Sequence, residues 1–322
     1  MLLDGHASRR CFLGGLGATS AAVLLSDLLA WGKALGATAG EDGLHVAANA
    51  YPWYTYYRRE NRDFNADLDA GLADVAAAGL QGFEALLGSP DDVDRYAPLL
   101  KKHGLEMRSF YISVPLYDKE TVNASIDGVL ATADKAKAEL NSRIVVINPA
   151  PLSWNREAGP ADKTDEQLEV QADALNRLGA SLRERGMVLA LHNHDMELRN
   201  AAREFQHMML ATDPNNLTLC LDAHWMYRGS GNSQVFLFDI VKLYGKRVSE
   251  IHFRQSQDGV WTEVFGPGDI DYARLARELS DMGVRPHLVL EQAAESGTPH
   301  TMDGVAAHRQ GRKYVVELFG RA

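Results

Sequence analysis

Cysteine is nearly absent: Cys11 and Cys220 are the only two in 322 residues, too few for a disulfide framework. Positive charge is scarce as well. Thirty-three Lys and Arg face 43 Asp and Glu for a net charge of −10, and no basic run offsets this locally, which argues against a nucleic-acid partner. No apolar run reaches the roughly 20 residues of a membrane span. After the first apolar run there is neither a Gly-x-Gly-x-x-Gly nor a P-loop, so a doubly wound nucleotide-binding sheet has no support. No linker or shift of composition divides the chain. What is present, 46% apolar and 24% charged residues, is a globular composition that excludes disordered and fibrous classes and can bury a large core.

The N-terminus reads as an address. Ser8-Arg9-Arg10-Cys11-Phe12-Leu13-Gly14-Gly15 precedes a mild, Gly- and Ala-rich stretch, Leu16 to Ala30, interrupted by Asp27. This resembles a bacterial twin-arginine export signal, with Ala37-Thr38-Ala39 as the cleavage site. Residues 1–39 are therefore expected to be a signal peptide and residues 40–322 the mature domain; an uncleaved N-terminal helix is the alternative. Cys11 lies before the apolar stretch, so no lipoprotein anchor is indicated. The implied partner is the export machinery, the location periplasmic or otherwise extracytoplasmic, with no stable membrane insertion after processing. Twin-arginine export carries folded proteins, which suits an enzyme that takes up a metal before leaving the cytoplasm.

From Leu44 onward, short apolar runs ending in a polar residue recur at 45–49, 80–84, 106–111, 143–148, 187–192, 217–222, 248–252 and 286–291. Segments of helical periodicity separate them, at 67–78, 91–103, 121–140, 165–185, 201–210, 236–244, 272–282 and 304–319. Gly79, Gly104, Gly186 and Gly283 follow four of these helices, where a left-handed residue ends a helix. Eight alternations in about 280 residues predict a single-domain α/β fold, a (β/α)8 TIM barrel, whose usual size is roughly 250 residues.

Strand parity then sorts the side chains. In Val188-Leu189-Ala190-Leu191-His192 and Leu217-Thr218-Leu219-Cys220-Leu221-Asp222 the leucines alternate with smaller residues, so they point outward beneath the helices. Ala190, Cys220, His192 and Asp222 point inward. The same count puts Ile251, Phe253, Leu288 and Leu290 outside, and His252 and Glu291 inside. Any one such residue is most simply a cap or a hydrogen-bonded core group. Four of them, at the C-terminal mouths of four successive strands, point to a metal site, because unpaired buried ions cost several kcal/mol each and a divalent cation offsets that. The mixed N/O set of His192, Asp222, His252 and Glu291 suits one Mn²⁺, Co²⁺, Zn²⁺ or Fe²⁺.

Gly79-Leu80-Gln81-Gly82-Phe83-Glu84, Ala190-Leu191-His192-Asn193-His194-Asp195-Met196-Glu197, Leu221-Asp222-Ala223-His224-Trp225, Ile251-His252 with Gly266-Pro267-Gly268-Asp269-Ile270-Asp271, and Leu290-Glu291 run in order from about Leu44 to the C-terminus. Together they resemble the sugar phosphate isomerase/epimerase superfamily, the xylose-isomerase-like TIM barrels that include ketose 3-epimerases, inosose dehydratase and endonuclease IV. The resemblance implies one divalent metal held by Glu, Asp, His and Glu from the fifth to eighth strands. Asp222, His252 and Glu291 match; the first position is His192, with His194 or Glu197 as alternative ligands.

The implied chemistry is proton abstraction beside a carbonyl, with Glu291 as one base and His194, backed by Glu197, as the other group. A His in place of the fifth-strand Glu favours elimination or one-sided isomerisation over a symmetric epimerase. Glu84, Trp53, Trp225, Arg254 and Gln255 are the expected substrate contacts, although packing explains the tryptophans as well and Arg254 has Glu250 as an alternative partner. The expected ligand is an unphosphorylated keto-sugar, keto-glycoside or cyclitol; homo-oligomerisation is compatible with the sequence. A catalytically silent sugar-binding barrel and a metallophosphoesterase are the competing classes. The second is weakened by Asp222-Ala223-His224, which departs from Asp-x-x-His.

Overall fold

The computed structural model describes residues 43–155 and 161–320, so the expected signal segment, 1–39, lies outside the described residues. The parallel strands are β1 (Val46–Asn49), β2 (Gly82–Glu84), β3 (Ser109–Val114), β4 (Ile144–Pro149), β5 (Val188–His192), β6 (Thr218–Asp222), β7 (Val248–Phe253) and β8 (His287–Leu290). Their hydrogen-bonded order is β2-β1-β8-β7-β6-β5-β4-β3. Isolated bridges from Gly82 to Glu106 and from Leu86 to Tyr111 bring β2 to β3 and nearly close the barrel. The helices are α1 (Ala50–Arg59), α2 (Leu68–Ala77), α3 (Pro90–His103), α4 (Val122–Leu140), α5 (Asp165–Glu184), α6 (Arg199–Ala211), α7 (Ala223–Gly229), α8 (Gln234–Tyr244), α9 (Tyr272–Asp281) and α10 (Gly304–Phe319). This is the (β/α)8 barrel that the alternation predicts.

Local chemistry accounts for the boundaries. Ser89 with Asp92 and Thr164 with Gln167 form capping boxes that start α3 and α5. Gly104, at φ +66°, ends α3 in the left-handed region that a side chain would strain. Two helices were not expected, α1 and α7. Each begins directly on a strand end, because the strand's last residue caps it: Asn49 Oδ1 accepts from Tyr51 N at 2.7 Å and Asp222 Oδ1 from Trp225 N at 2.8 Å. β3 begins three residues later than the apolar run predicts, since its partner β4 pairs with Ser109 to Val114.

The parity assignment holds. Leu189, Leu191, Leu217, Leu219 and Leu221 belong to the large core under the helices, with Ile251, Phe253, Leu288 and Leu290. Ile144, Val146, Ala190 and Cys220 pack separately inside the barrel. Each buried Leu contributes roughly 1.5–3 kcal/mol, so a one-residue slip that exchanged the two faces is heavily penalised.

Register then carries successive strand ends upward. His192 pairs with Cys220, two residues short of Asp222. Asp222 is level with His252, and His252 with Val289, two short of Glu291. The stagger of the barrel turns residues at different strand heights into one ring at the mouth.

Candidate metal centre and active site

Asp222 is the residue whose local structure is most informative. Its Oδ1 is spent on capping α7, while Oδ2 is buried without a hydrogen-bond partner. Across from it, His192 Nε2 lies 3.7 Å from Asp222 Oδ2 and 3.8 Å from Glu291 Oε2, too far for hydrogen bonds, and is itself unpartnered. His252 Nδ1 approaches Glu291 Oε2 at 3.3 Å. One ligand atom from each of His192, Asp222, His252 and Glu291 falls within 4.8 Å of the others. Atoms that each bind a common cation at about 2.1 Å stand roughly 3.0–3.6 Å apart. Two orphaned polar atoms facing each other in a dry interior, in a mixed imidazole and carboxylate set, fit a divalent cation. The structure thus brings together all four residues that parity selects.

The far side of His252 is braced. Its Nε2 is 3.1 Å from Glu84 Oε1 and 3.1 Å from Glu250 Oε1. Glu84 in turn accepts from Asn49 Nδ2 at 2.6 Å and Ser109 Oγ at 2.8 Å. Burial raises both carboxyls, but His252 first, then Glu250 and Asn49, overcome it for Glu84 and hold it at about 2. Burial and the Glu84 charge push Glu250 well above the carboxylate range. Burial would lower His252, but the acidic groups around it, Glu84 and Glu291 among them, outweigh this and push the imidazole well above its ordinary value, so Nε2 is turned inward to Glu84 and Glu250 and Nδ1 to Glu291 at the mouth. Glu84, expected at the rim, is instead fully buried beneath His252.

Arg254 pairs with Glu291, not Glu250. Its Nη2 is 2.8 Å from Glu291 Oε2 and its Nε donates to the Glu291 carbonyl at 3.0 Å. The guanidinium lies 4.3 Å from the Trp261 ring centre and 5.2 Å from that of Trp225, and its Nη1 has no partner. Burial would raise the Glu291 carboxyl; Arg254 first and His252 next outweigh it and hold Glu291 well below its ordinary value. Trp225 and Trp261 form a small apolar cluster of their own with Ala293, beside Arg254.

Two expected substrate contacts lie elsewhere. Gln255 spends its side chain on the loop after β7, donating to Gly266 O and Ile270 O and accepting from Ser256 N and Ile270 N. Gly268 makes that fold possible, since a Cβ there would stand 2.3 Å from Ser256 O. Trp53 sits fully buried in the helical core, stacked on His308 at 4.2 Å, because α1 turns its indole away from the mouth.

His194 stands at the rim, edge-on to Trp154 at 5.4 Å and to Trp225 at 5.7 Å, with its ring 4.8 Å from that of His192. Glu197 is buried and faces protein: its Oε2 accepts the His194 backbone N–H at 2.8 Å and its Oε1 faces Asn148 Nδ2 at 3.3 Å. It braces the turn that carries His194, and burial raises its carboxyl. Sequence reasoning passed over Asn49, Ser109, Asn148, Asn193 and His224. Asn49 and Asn148 carried the same signal as His192, a polar residue at the end of an apolar run. His224 is fully buried with both ring nitrogens unpartnered, and burial, then Arg254 and Arg228, lower it to about 2, so it is neutral. Asn193 likewise has an unpartnered, buried amide.

Residues 72–317 match the family described as Xylose isomerase-like TIM barrel. An inosose dehydratase of Clostridium perfringens is 24% identical over 274 residues, covering 76% of this chain and 88% of that protein. Among solved structures, an L-ribulose 3-epimerase superposes with a TM-score of 0.65 at 18% identity, covering 86% of this chain and 95% of its own. A D-allulose 3-epimerase from Methylomonas sp. gives 0.63 at 18% identity, covering 85% and 97%. The last two likenesses concern the fold.

Proposed function

We propose, for a chain that belongs to the xylose isomerase-like TIM barrel family, an enzyme that removes a proton beside the carbonyl of an unphosphorylated keto-sugar, keto-glycoside or cyclitol. One divalent cation on His192, Asp222, His252 and Glu291 completes its site. The observation that carries this reading is the pair of buried, unpartnered atoms, Asp222 Oδ2 and His192 Nε2, turned toward each other at the barrel mouth. A cation bound there supplies Lewis acidity, which polarises a substrate carbonyl and acidifies the neighbouring C–H.

The chain's own groups do the rest. Arg254 keeps Glu291 ionised and oriented, His194 faces the same mouth from the β5 side, and Trp225 offers an apolar wall for a sugar face. Arg254 and Arg228, the guanidiniums beside the two tryptophans, are engaged by Glu291 and Glu295 at 2.8 Å. Each therefore has its charge offset by a carboxylate, which supports an unphosphorylated substrate.

A second reading, elimination of a group β to the carbanion, is favoured by His192. A fully buried imidazole stands where a symmetric epimerase uses a second acid, so proton handling is one-sided. The inosose dehydratase relative supports it.

Elemental analysis followed by turnover in D2O tests both. Mn²⁺- or Co²⁺-loaded protein is incubated with inososes, ketoses and 3-keto-glucosides and followed by NMR. Solvent deuterium beside the carbonyl, with an epimer, an isomer or loss of the β-group, is expected; a loaded protein that exchanges no proton overturns the proposal, and ligand binding without exchange identifies a silent sugar-binding barrel. Arg9-Arg10 supports an extracytoplasmic location, and replacing both by Lys should trap the protein in the cytoplasm on cell fractionation.

A further inference from the structure

His192, Asp222 and His252 expose no surface and Glu291 only 6%, so a substrate reaches the ring only when a covering segment moves. The loop after β5 is one such segment. It starts at His192, and its His194 ring lies 4.8 Å from the His192 ring. Its far end is a left-handed turn: Asn200, Ala201 and Ala202 have φ of +53°, +59° and +59° with ψ of 52°, 38° and 35°. Asparagine tolerates that region, but successive alanines are strained in it, because Cβ crowds the following carbonyl oxygen. Three such residues ahead of a right-handed helix persist only where the surroundings impose them.

Here they do so from the approach to α5. Asp162 Oδ1 accepts from Arg199 Nε at 2.8 Å and pairs with Arg199 Nη2 at 2.7 Å, while its Oδ2 accepts from Asn200 Nδ2 at 2.7 Å. Arg199 Nη2 also donates to Ala161 O at 3.1 Å. Just past the turn, Lys163 Nζ holds Glu204 Oε1 at 2.6 Å, which fixes the helix that the turn must meet. On its other flank the loop presses on α7, where a Cβ at Gly229 would stand 2.7 Å from Leu198 Cδ1 and 2.9 Å from Asp195 Cα.

We infer that residues 199–202 form a strained hinge with Asp162 as its catch, holding the loop of residues 193–198 down over the metal ring. With the catch released, the turn relaxes to the right-handed conformation, the regular part of α6 grows by a turn, and the loop lifts away from His192. A few hydrogen bonds balanced against strained backbone make an element with two positions, so opening needs little input. That the entering molecule is a keto-sugar or cyclitol rests on the function proposed above; the hinge does not.

Testing the hinge needs neither metal nor substrate. Ala201 is exposed, so Ala201→Gly changes backbone freedom and little packing. At a left-handed site glycine relieves the crowding and should raise Tm by about 1 °C, whereas in a right-handed helix it would lower Tm by about 1–2 °C. In an Asp162→Ala background, where the turn has relaxed, the same substitution should lower Tm. Hydrogen exchange should find the amides of residues 193–202 at least about tenfold faster in Asp162→Ala, with those of 204–211 unchanged. A fall in Tm for Ala201→Gly in the wild-type background overturns the strained turn; a rise that persists in Asp162→Ala, or unchanged exchange there, overturns the catch. Loaded with Co²⁺, Asp162→Ala should release its metal to excess EDTA at least about tenfold faster than wild type. Equal release with fast-exchanging amides overturns the covering role of the loop. A protein that binds no Co²⁺ counts against the proposed function instead, and the melting and exchange results still decide the hinge.

Discussion

Replacing Arg254 by Met separates the two jobs of Glu291. Arg254 is 1% exposed, and Met keeps the apolar stem between Trp225 and Trp261 while removing the guanidinium 2.8 Å from Glu291. Breaking a buried pair by deleting one partner costs roughly 3–5 kcal/mol, since the other charge stays buried. With an unfolding entropy of about 2.1 cal/mol/K per residue, a barrel of this size should lose about 5–9 °C in Tm. That deficit applies to metal-free protein. If Glu291 also faces a cation, saturating Mn²⁺ supplies the missing positive partner and recovers most of the loss, so the cation-induced rise in Tm is larger in Arg254→Met than in wild type by about the same 5–9 °C. Differential scanning calorimetry in EDTA and in excess Mn²⁺ measures all four corners of the cycle. Equal deficits with and without the cation, or no deficit in EDTA, would refute the idea that Arg254 and a metal share one carboxylate.

Asp222→Asn gives a cleaner probe of the quartet, because Asn caps a helix as well as Asp and the bond to Trp225 N survives. A cation at a thousandfold over its Kd stabilises wild type by about 4 kcal/mol, or about 7 °C, and the variant should lose most of that; a full shift in Asp222→Asn would put the ion elsewhere. Buried histidines away from the ring, besides His224, make the fold acid-sensitive. Burial, with Arg108 second, lowers His45 to about 3, and burial lowers His308 to about 4. Both are neutral when folded and take a proton only when unfolded, so their stability is intact above the unfolded value of about 6.5 and falls as the pH drops below it. Each should cost roughly 2 kcal/mol by pH 5, levelling off near its folded value. A melting temperature that does not change between pH 7 and 5, or an equally steep fall in His308→Gln, would contradict this.

The residues that period-two alternation could sort were legible before any coordinates. His192, Asp222, His252 and Glu291 all close apolar runs, and the flanking leucines state which way they face. Long side chains were not legible in the same way. Arg254 reaches Glu291, just past β8, and not Glu250 on the strand it follows, Glu84 lies under His252 and not at the rim, and Gln255 folds back on its own loop. Trp53 looked like a wall of the mouth because it follows β1, yet one turn of α1 carries it to His308. A short, unexpected helix therefore decides whether an aromatic meets substrate or core.

By itself the sequence determined the barrel, the faces of the fifth to eighth strands and the identity of the four inward groups, since these follow from local periodicity and from the cost of misplacing apolar area. Only the tertiary structure decided what those groups do to one another. Barrel stagger lifts His192, Asp222, His252 and Glu291 into one ring, and packing across strands picks Arg254 for Glu291, Glu84 for His252 and Asn148 for His194. Those pairings join residues 37 to 168 positions apart, and they depend on ångström distances between strands that no local pattern encodes.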